Sequence, residues 1–173
     1  MKRNFGAWMA AVGLLAACAP ALDWREVRPE DSGITMLFPC KPDSHARRVS
    51  LATQQLRLVL HACTAGTSTW ALAVADIGDP ALVGEALIEL AVAAQRNLEA
   101  SQARPLGLKV DGATPNPHSR RFEITGRVPG GRELTEQVAV FTKGTRVYQA
   151  TALGDRLEPE AVDTFFGNLR VSP

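Results

Sequence analysis

Apolar and outward-facing residues alternate along several stretches of this chain, with the period of two that is typical of half-buried β-strands. The stretches are Ile34 to Phe38, Gln55 to Ala62 and Trp70 to Val74 in the first half, and Phe122 to Val128, Leu134 to Val140 and Val147 to Leu153 in the second. Turn residues separate them, and the pair Lys143-Gly144 predicts a two-residue hairpin turn. The pattern predicts two sets of antiparallel strands.

Two further segments follow the period of an α-helix. Asp79 and Pro80 supply an N-cap and a proline at the first helical position, so a long helix is expected from Pro80 to about Gln102. A short helix is expected to begin near Pro159. The order strands, long helix, strands, short helix predicts an α+β fold, in which an antiparallel sheet packs against a long central helix and a short C-terminal helix.

The N-terminal segment has a different pattern. Lys2 and Arg3 precede an apolar run from Phe5 to Leu15, which ends in Leu15-Ala16-Ala17-Cys18. These are the parts of a secretory signal, and the run is well short of the roughly 20 apolar residues that a membrane-spanning helix needs. Leu-Ala-Ala-Cys resembles the lipobox of bacterial lipoproteins, which implies removal of residues 1–17 and acylation of Cys18. The alternative is a soluble secretory signal with an incidental cysteine.

A lipobox implies where in the cell the protein is located. Residues 18–23 would form a lipidated tether and residues 24–173 a single α+β domain, held at the bacterial cell envelope and facing the periplasm. Ala19 and Pro20 follow the cysteine without the Asp that resembles an inner-membrane retention signal, so the outer membrane is the expected destination. At about 3.3 Å per residue, so short a tether keeps the domain within a couple of nanometres of the membrane.

Charge narrows the range of partners. The chain has 19 Lys plus Arg and 18 Asp plus Glu, and residues 1–17 hold two of the basic residues and no acidic one. The processed chain therefore has a net charge of −1. That balance argues against nucleic acid or an anionic membrane surface as partner, since both usually need a clear basic excess.

Two cysteines remain once Cys18 is acylated. In an oxidising compartment Cys40 and Cys63 are expected to form a disulfide, which closes a loop of about 24 residues. His61 lies two residues before Cys63 on the same predicted strand face, so a metal site of Cys40, His61 and Cys63 is the alternative. We expect the disulfide, and no metal.

Residues suited to catalysis lack the surroundings that catalysis needs. No Ser or Cys lies in a Gly-flanked nucleophile elbow, and Gly130-Gly131 lacks the Gly-Lys-Ser/Thr of a phosphate loop. Glu85 and Glu89 are expected on a solvated helix face, and His45 in a loop near Arg47 and Arg48. We expect no enzymatic activity and no cofactor.

Four arginines cluster around one predicted hairpin. Arg120, Arg121, Arg127 and Arg132 suggest an edge that binds an anion or a protein partner. The alternative is that they are strand-edge charges that keep the sheet from aggregating.

The segments Phe38-Pro39-Cys40-Lys41-Pro42 and Phe165-Phe166-Gly167-Asn168-Leu169 resemble the pattern of small α/β/α sandwich domains of the PsbP-like superfamily. The resemblance covers nearly the whole processed chain and implies a binding or assembly module rather than an enzyme. It carries over no functional residue, and Cys40 departs from the small residue expected after the proline.

These observations together predict a non-catalytic, lipid-anchored periplasmic domain that binds an envelope protein, as an assembly or stability factor. The partner is unknown. The alternative is a lipoprotein that binds a small molecule or a metal through Cys40, His61 and Cys63.

Overall fold

A computed structural model describes residues 22–128 and 130–172. The predicted signal peptide, Cys18 and the tether up to residue 21 lie outside the described residues, as does Pro129 of the turn before Gly130. Within the described ranges, no helix has both the length and the apolar character that crossing a membrane requires.

The chain forms ten strands and two α-helices in its described part. In chain order they are β1 (Arg25–Val27), β2 (Ile34–Phe38), β3 (Asp43–Leu51), β4 (Gln54–Ala65), β5 (Ser68–Asp76), a 3₁₀ turn (Pro80–Leu82), α1 (Val83–Asn97), β6 (Arg104–Leu106), β7 (Arg120–Arg127), β8 (Glu133–Lys143), β9 (Arg146–Gly154), α2 (Pro159–Gly167) and β10 (Arg170–Val171). Seven of the strands form one antiparallel sheet in the order β3-β4-β5-β9-β8-β7-β6, and β1, β2 and β10 form a small second sheet.

Both faces of the large sheet are buried at its centre. On one face α1 packs through Leu87 and Ala91 against strand residues such as Val138. The other face is covered by α2 together with the small sheet. Phe165 of α2 packs against Trp70 of β5, with the ring centroids 5.1 Å apart. The predicted antiparallel sheet with a long and a short helix is therefore confirmed. The second outer layer differs from that of a pure α/β/α sandwich, since it is part helix and part sheet.

The helical segment begins at Pro80, as the sequence predicts, with a 3₁₀ turn that leads into α1, and it ends earlier than predicted. Asp79 accepts a hydrogen bond from the Ala81 backbone N–H at 2.9 Å, which caps the first turn. The helix ends at Asn97 rather than Gln102, because the Leu98 carbonyl accepts a hydrogen bond from the Arg127 N–H at 2.8 Å. Gly126 permits this approach, since a Cβ there would lie 1.9 Å from the Leu98 oxygen.

Two local predictions need correction. His45 lies on β3 and not in a loop, and the strand was missed because Asp43 to Arg48 are all exposed and show no alternation. The β8–β9 turn consists of Gly144 and Thr145 rather than Lys143 and Gly144, since Lys143 pairs with Arg146. Gly144 has φ +58°, so the turn places its glycine where a left-handed conformation is needed.

A strained turn joins β3 to β4 and is held by the helix. Ala52 and Thr53 have φ of 48° and 63°, a conformation that a β-branched residue rarely adopts. The Ala52 backbone N–H donates to the Glu89 carboxylate of α1 at 2.8 Å. Glu89 is therefore half-buried and fixes the end of β3, rather than lying on a solvated helix face as expected.

The two sheets are joined covalently. Cys40, just after β2, and Cys63 on β4 form the predicted disulfide, with their Cα atoms 6.0 Å apart. Both cysteines pack against the core beneath α2. The disulfide therefore ties the small sheet to the large one.

Replacing both cysteines, Cys40→Ser with Cys63→Ser, should lower the free energy of unfolding by about 3 kcal/mol, because the unfolded chain regains the freedom of a loop of about 24 residues. Urea denaturation of the variant and the parent, each without reductant, measures the difference. Equal midpoints and slopes would contradict a structural role, and the exposed pair Ser44→Ala with Ser50→Ala provides a control.

Candidate functional site

The structure distinguishes between a disulfide and a metal site with thiolate ligands. His61 lies two residues from Cys63 on one face of β4, but the sulfurs of Cys40 and Cys63 are bonded to each other. Neither sulfur is a thiolate ligand in this oxidised form. Partial burial lowers the pKa of His61, which favours its neutral form. In residues 22–128 and 130–172, no group of three or more His, Cys, Asp or Glu is placed to hold a metal ion.

His61 lines a polar cleft of about 390 Å³ between the large sheet and the loop before β2. Arg57, Asp76 and Arg146 also line this cleft, together with Glu30. Arg146 Nε lies 3.9 Å from Asp76 Oδ2, whose other oxygen accepts a hydrogen bond from Thr145 Oγ1 at 2.7 Å. Acidic and basic groups are mixed here, so the cleft presents no strong charge of one sign.

The four arginines of the predicted edge do not share one surface. Neighbouring residues of a strand point to opposite faces of its sheet, so Arg120 and Arg121 diverge. The guanidinium of Arg120 lies 5.7 Å from the ring of Phe122, on the α1 side, and that of Arg121 lies 4.1 Å from the ring of Phe166, on the α2 side. Arg127 lies at the other end of β7 and is exposed.

Two members of that group already have protein partners. Arg121 Nη2 donates to Gln137 Oε1 at 2.7 Å, and Gln137 Nε2 donates to Glu123 at 2.8 Å. Burial of Glu123 raises its pKa, but hydrogen bonds from Arg104 and Gln137 lower the pKa by more than burial raises it. The net effect is a lowered pKa. Arg132 forms an ion pair with Asp155 at 3.5 Å. Arg121 and Arg132 are therefore not free charges that wait for an anion.

The two edges of the large sheet are very different. One edge is β6, which has three residues and contains Pro105, so it offers little backbone to a further strand. The other edge is β3, which has nine residues and no proline, and pairs only with β4 among the described strands. Its outer row of backbone N–H and C=O groups is open to an added strand.

An apolar groove of about 600 Å³ lies beside this open edge, between β3, β4 and α1. Val49 and Leu58 line its sheet side, and Ile88 and Val92 line its helix side. Ile88 and Val92 are 40% and 37% exposed, and they are the large apolar side chains that stand out as exposed in the described chain. They lie one helical turn apart, so they form a continuous apolar strip along α1.

The open edge also carries unpaired positive charge. Arg47 and Arg96 line the groove, while Arg48 and Arg57 are directly opposite each other on β3 and β4. Like charges directly opposite in an antiparallel pair destabilise it. None of these arginines takes part in the six ion pairs found within residues 22–128 and 130–172.

The sequence itself contains a signal for this surface. At 100° per residue, Val92 falls within the helix sector of the charged residues, and Ile88 lies at its border; the charged residues are Glu85, Glu89, Arg96 and Glu99. Neighbouring apolar residues in an otherwise charged sector form an exposed apolar patch, and such patches mark contact surfaces when they are large. Only the fold shows that this sector borders an open strand.

No protein-family model matches this chain. A comparison with curated proteins finds no significant match either. The resemblance to the PsbP-like superfamily stays a prediction, and function is inferred from the surfaces themselves.

One buried carboxylate was also missed. Glu136 lies on β8 between Leu134 and Val138, on the α1 side, with Ile124 and Leu153 as its cross-strand neighbours. Burial in these surroundings raises the pKa of Glu136 from 4.5 to about 7. Folded and unfolded chains therefore differ in protonation between about pH 4.5 and 7.

Because the pKa of Glu136 is raised in the folded state, the folded chain binds this proton more tightly than the unfolded chain does. The free energy of unfolding should therefore fall as the pH rises through this window, and Glu136→Gln should abolish this pH dependence. At pH 8 the variant should be more stable than the parent by up to about 3 kcal/mol, whereas near pH 4.5 the two should differ little. Urea denaturation across this range measures it. Parallel curves would contradict the prediction, and Glu133→Gln, exposed on the same strand, is the control.

Proposed function

We propose that this protein is a non-catalytic, lipid-anchored domain of the bacterial cell envelope that binds another protein through β3 and the groove beside it. The observation that carries the proposal is the nine-residue open edge of β3, which lies next to the exposed apolar strip of Ile88 and Val92. An open edge supplies backbone hydrogen bonds to an extended segment, and a groove beside it receives alternate side chains of that segment.

The predicted lipobox supports the location. Acylation of Cys18 would hold the domain at the envelope membrane, facing the periplasm, and the sorting rule favours the outer membrane. Several acyl chains on one cysteine anchor more firmly than a single chain, which binds only marginally. The short tether then limits the partner to proteins at or close to the membrane, where an assembly or stability factor would act.

The layering of the fold supports the same class of function by analogy. One outer layer is α1, and the other combines α2 with the small sheet, so the arrangement matches the α/β/α sandwich of the PsbP-like superfamily in part. Members of that superfamily resemble binding or assembly modules. Function resides in particular surfaces rather than in the architecture, so the open edge of β3 carries the proposal.

A photo-crosslinking residue at His45 on β3 should capture an envelope protein in intact cells, because His45 is exposed on the open edge. The same residue at Gln102, exposed next to the short β6 edge, should capture far less. Cys18→Ser should move the protein from the membrane fraction to the soluble fraction and lower the yield from His45. Equal yields from His45 and Gln102 would contradict the proposed surface.

A second candidate is a lipoprotein that binds a small molecule in the His61 cleft, and its observation is the cleft of about 390 Å³. With the disulfide formed, His61 is the remaining ligand of the set Cys40, His61 and Cys63. A ligand held there should appear as a mass adduct in native but not in denaturing mass spectra of the oxidised protein, and His61→Ala should remove it. An adduct-free native spectrum favours the first function.

A further inference from the structure

We infer that the segment bound at β3 is an extended chain in which apolar and acidic residues alternate. This inference rests on the proposed function and adds the chemistry of the partner. Two observations lead to it, one on each face of the edge strand. An added strand places successive side chains on opposite faces, so each face selects every second residue of the partner.

The α1 face selects apolar residues. A side chain on this face of an added strand would lie beyond Val49 and over the groove, opposite Ile88 and Val92. These apolar groups are partly in contact with water in the described structure, and covering them is favourable because it removes apolar surface from water. Small or branched apolar side chains at the partner positions next to Val49 and Leu51 would fill this space.

The opposite face selects carboxylates. Arg48 and Arg57 stand side by side on this face, since they are directly paired across β3 and β4. In an added strand, the residue opposite Arg48 would point to the same face of the sheet as Arg48 and Arg57. It would therefore lie in line with these two arginines. A carboxylate at that position would offset the repulsion between the two guanidinium groups and could form bidentate hydrogen bonds with either.

The charged residues that line the groove favour the same sign of charge in a partner. Arg47 and Arg96 line the groove without an ion pair in the described part of the chain. Glu89 is the carboxylate that also lines the groove, and it already accepts the Ala52 N–H at 2.8 Å. A basic segment would therefore be repelled by Arg47 and Arg96 on the groove side and by Arg48 on the other side, where Arg57 also lines the cleft that contains Asp76.

Charge excludes two nearer occupants. A second copy of the chain that paired β3 with β3 around a two-fold axis, with full overlap, would place Arg47 opposite Arg47 and the two Arg48 residues diagonal to each other. The N-terminal segment of residues 1–21 contains Lys2 and Arg3 and no carboxylate, so it cannot supply the acidic positions. A different protein that carries acidic residues fits the edge better than either.

The test uses the full-length protein, purified in detergent, and three fluorescent nine-residue peptides that match the length of β3. In the first Val and Glu alternate, in the second Val and Lys alternate, and the third has the composition of the first with its apolar and acidic residues in separate blocks. Fluorescence anisotropy at low and high salt gives the affinities. The Val/Glu peptide should bind at least about tenfold more tightly than either of the other two peptides, and high salt should weaken its binding.

Charge reversal makes the test specific. Arg48→Glu with Arg57→Glu should weaken the Val/Glu peptide and strengthen the Val/Lys peptide, while Val92→Ser should weaken both. Arg127→Glu is the matched control, since Arg127 is exposed at the end of β7, away from β3, and it should change neither affinity. Thermal melts of each variant check that the fold is kept.

Equal affinity for the Val/Glu and Val/Lys peptides, or an equal effect of Arg127→Glu, would overturn the inference. Self-association without peptide binding would overturn it in favour of a second copy, and binding to anionic phospholipid vesicles alone would overturn it in favour of a membrane surface. If no peptide binds while crosslinking from His45 still captures a protein, the partner chemistry is wrong and the proposed function stands. If crosslinking also fails, the proposed function is wrong as well.

Discussion

The width of the large sheet, compared with that of the single helix on one of its faces, determines where this protein is open. Seven strands at about 4.8 Å spacing span roughly 29 Å, whereas a helix with its side chains is about 10 Å wide. The 15 residues of α1 pack mainly on β8 and β9 and reach β3 only at one side. The helix therefore leaves part of this face uncovered, and the apolar groove is the uncovered part next to β3.

The sheet protects its two edges by different means. At β6 the edge is short and contains Pro105, which leaves little backbone to pair. At β3 it is long, and its protection is electrostatic, through Arg47 and Arg48. Charge of one sign repels a second copy of the same edge, but it attracts an edge or segment of the opposite sign. The same arginines can therefore prevent aggregation and select a partner.

The disulfide and the start of the fold lie together, on the other side of the sheet from the groove. The Asp23 N–H donates to the Pro39 carbonyl at 2.8 Å, directly before Cys40. Cys40 and Cys63 then join the small sheet to β4, within the core beneath α2. A tether that enters beside the disulfide leaves the α1 face, with Ile88 and Val92, free for contact. The proposed anchor and the proposed binding surface therefore do not compete for one face.

Local patterns determined much of this fold in advance. Alternating residues predicted β2, β4, β5, β7, β8 and β9, the Asp79-Pro80 pair predicted the start of the long helix, and Cys40 and Cys63 predicted their disulfide. The prediction failed at β3, because six exposed residues in a row carry no periodic signal.

Tertiary structure decided the site. Arg120 and Arg121 are adjacent in sequence but lie on opposite faces, whereas Arg48 and Arg57 are nine positions apart and stand side by side. The sequence by itself determined which residues alternate, cap and pair locally, since those preferences depend on near neighbours. Only the tertiary structure decided which strand is left at the edge and which charges meet there, because strand order brings together residues that are far apart along the chain.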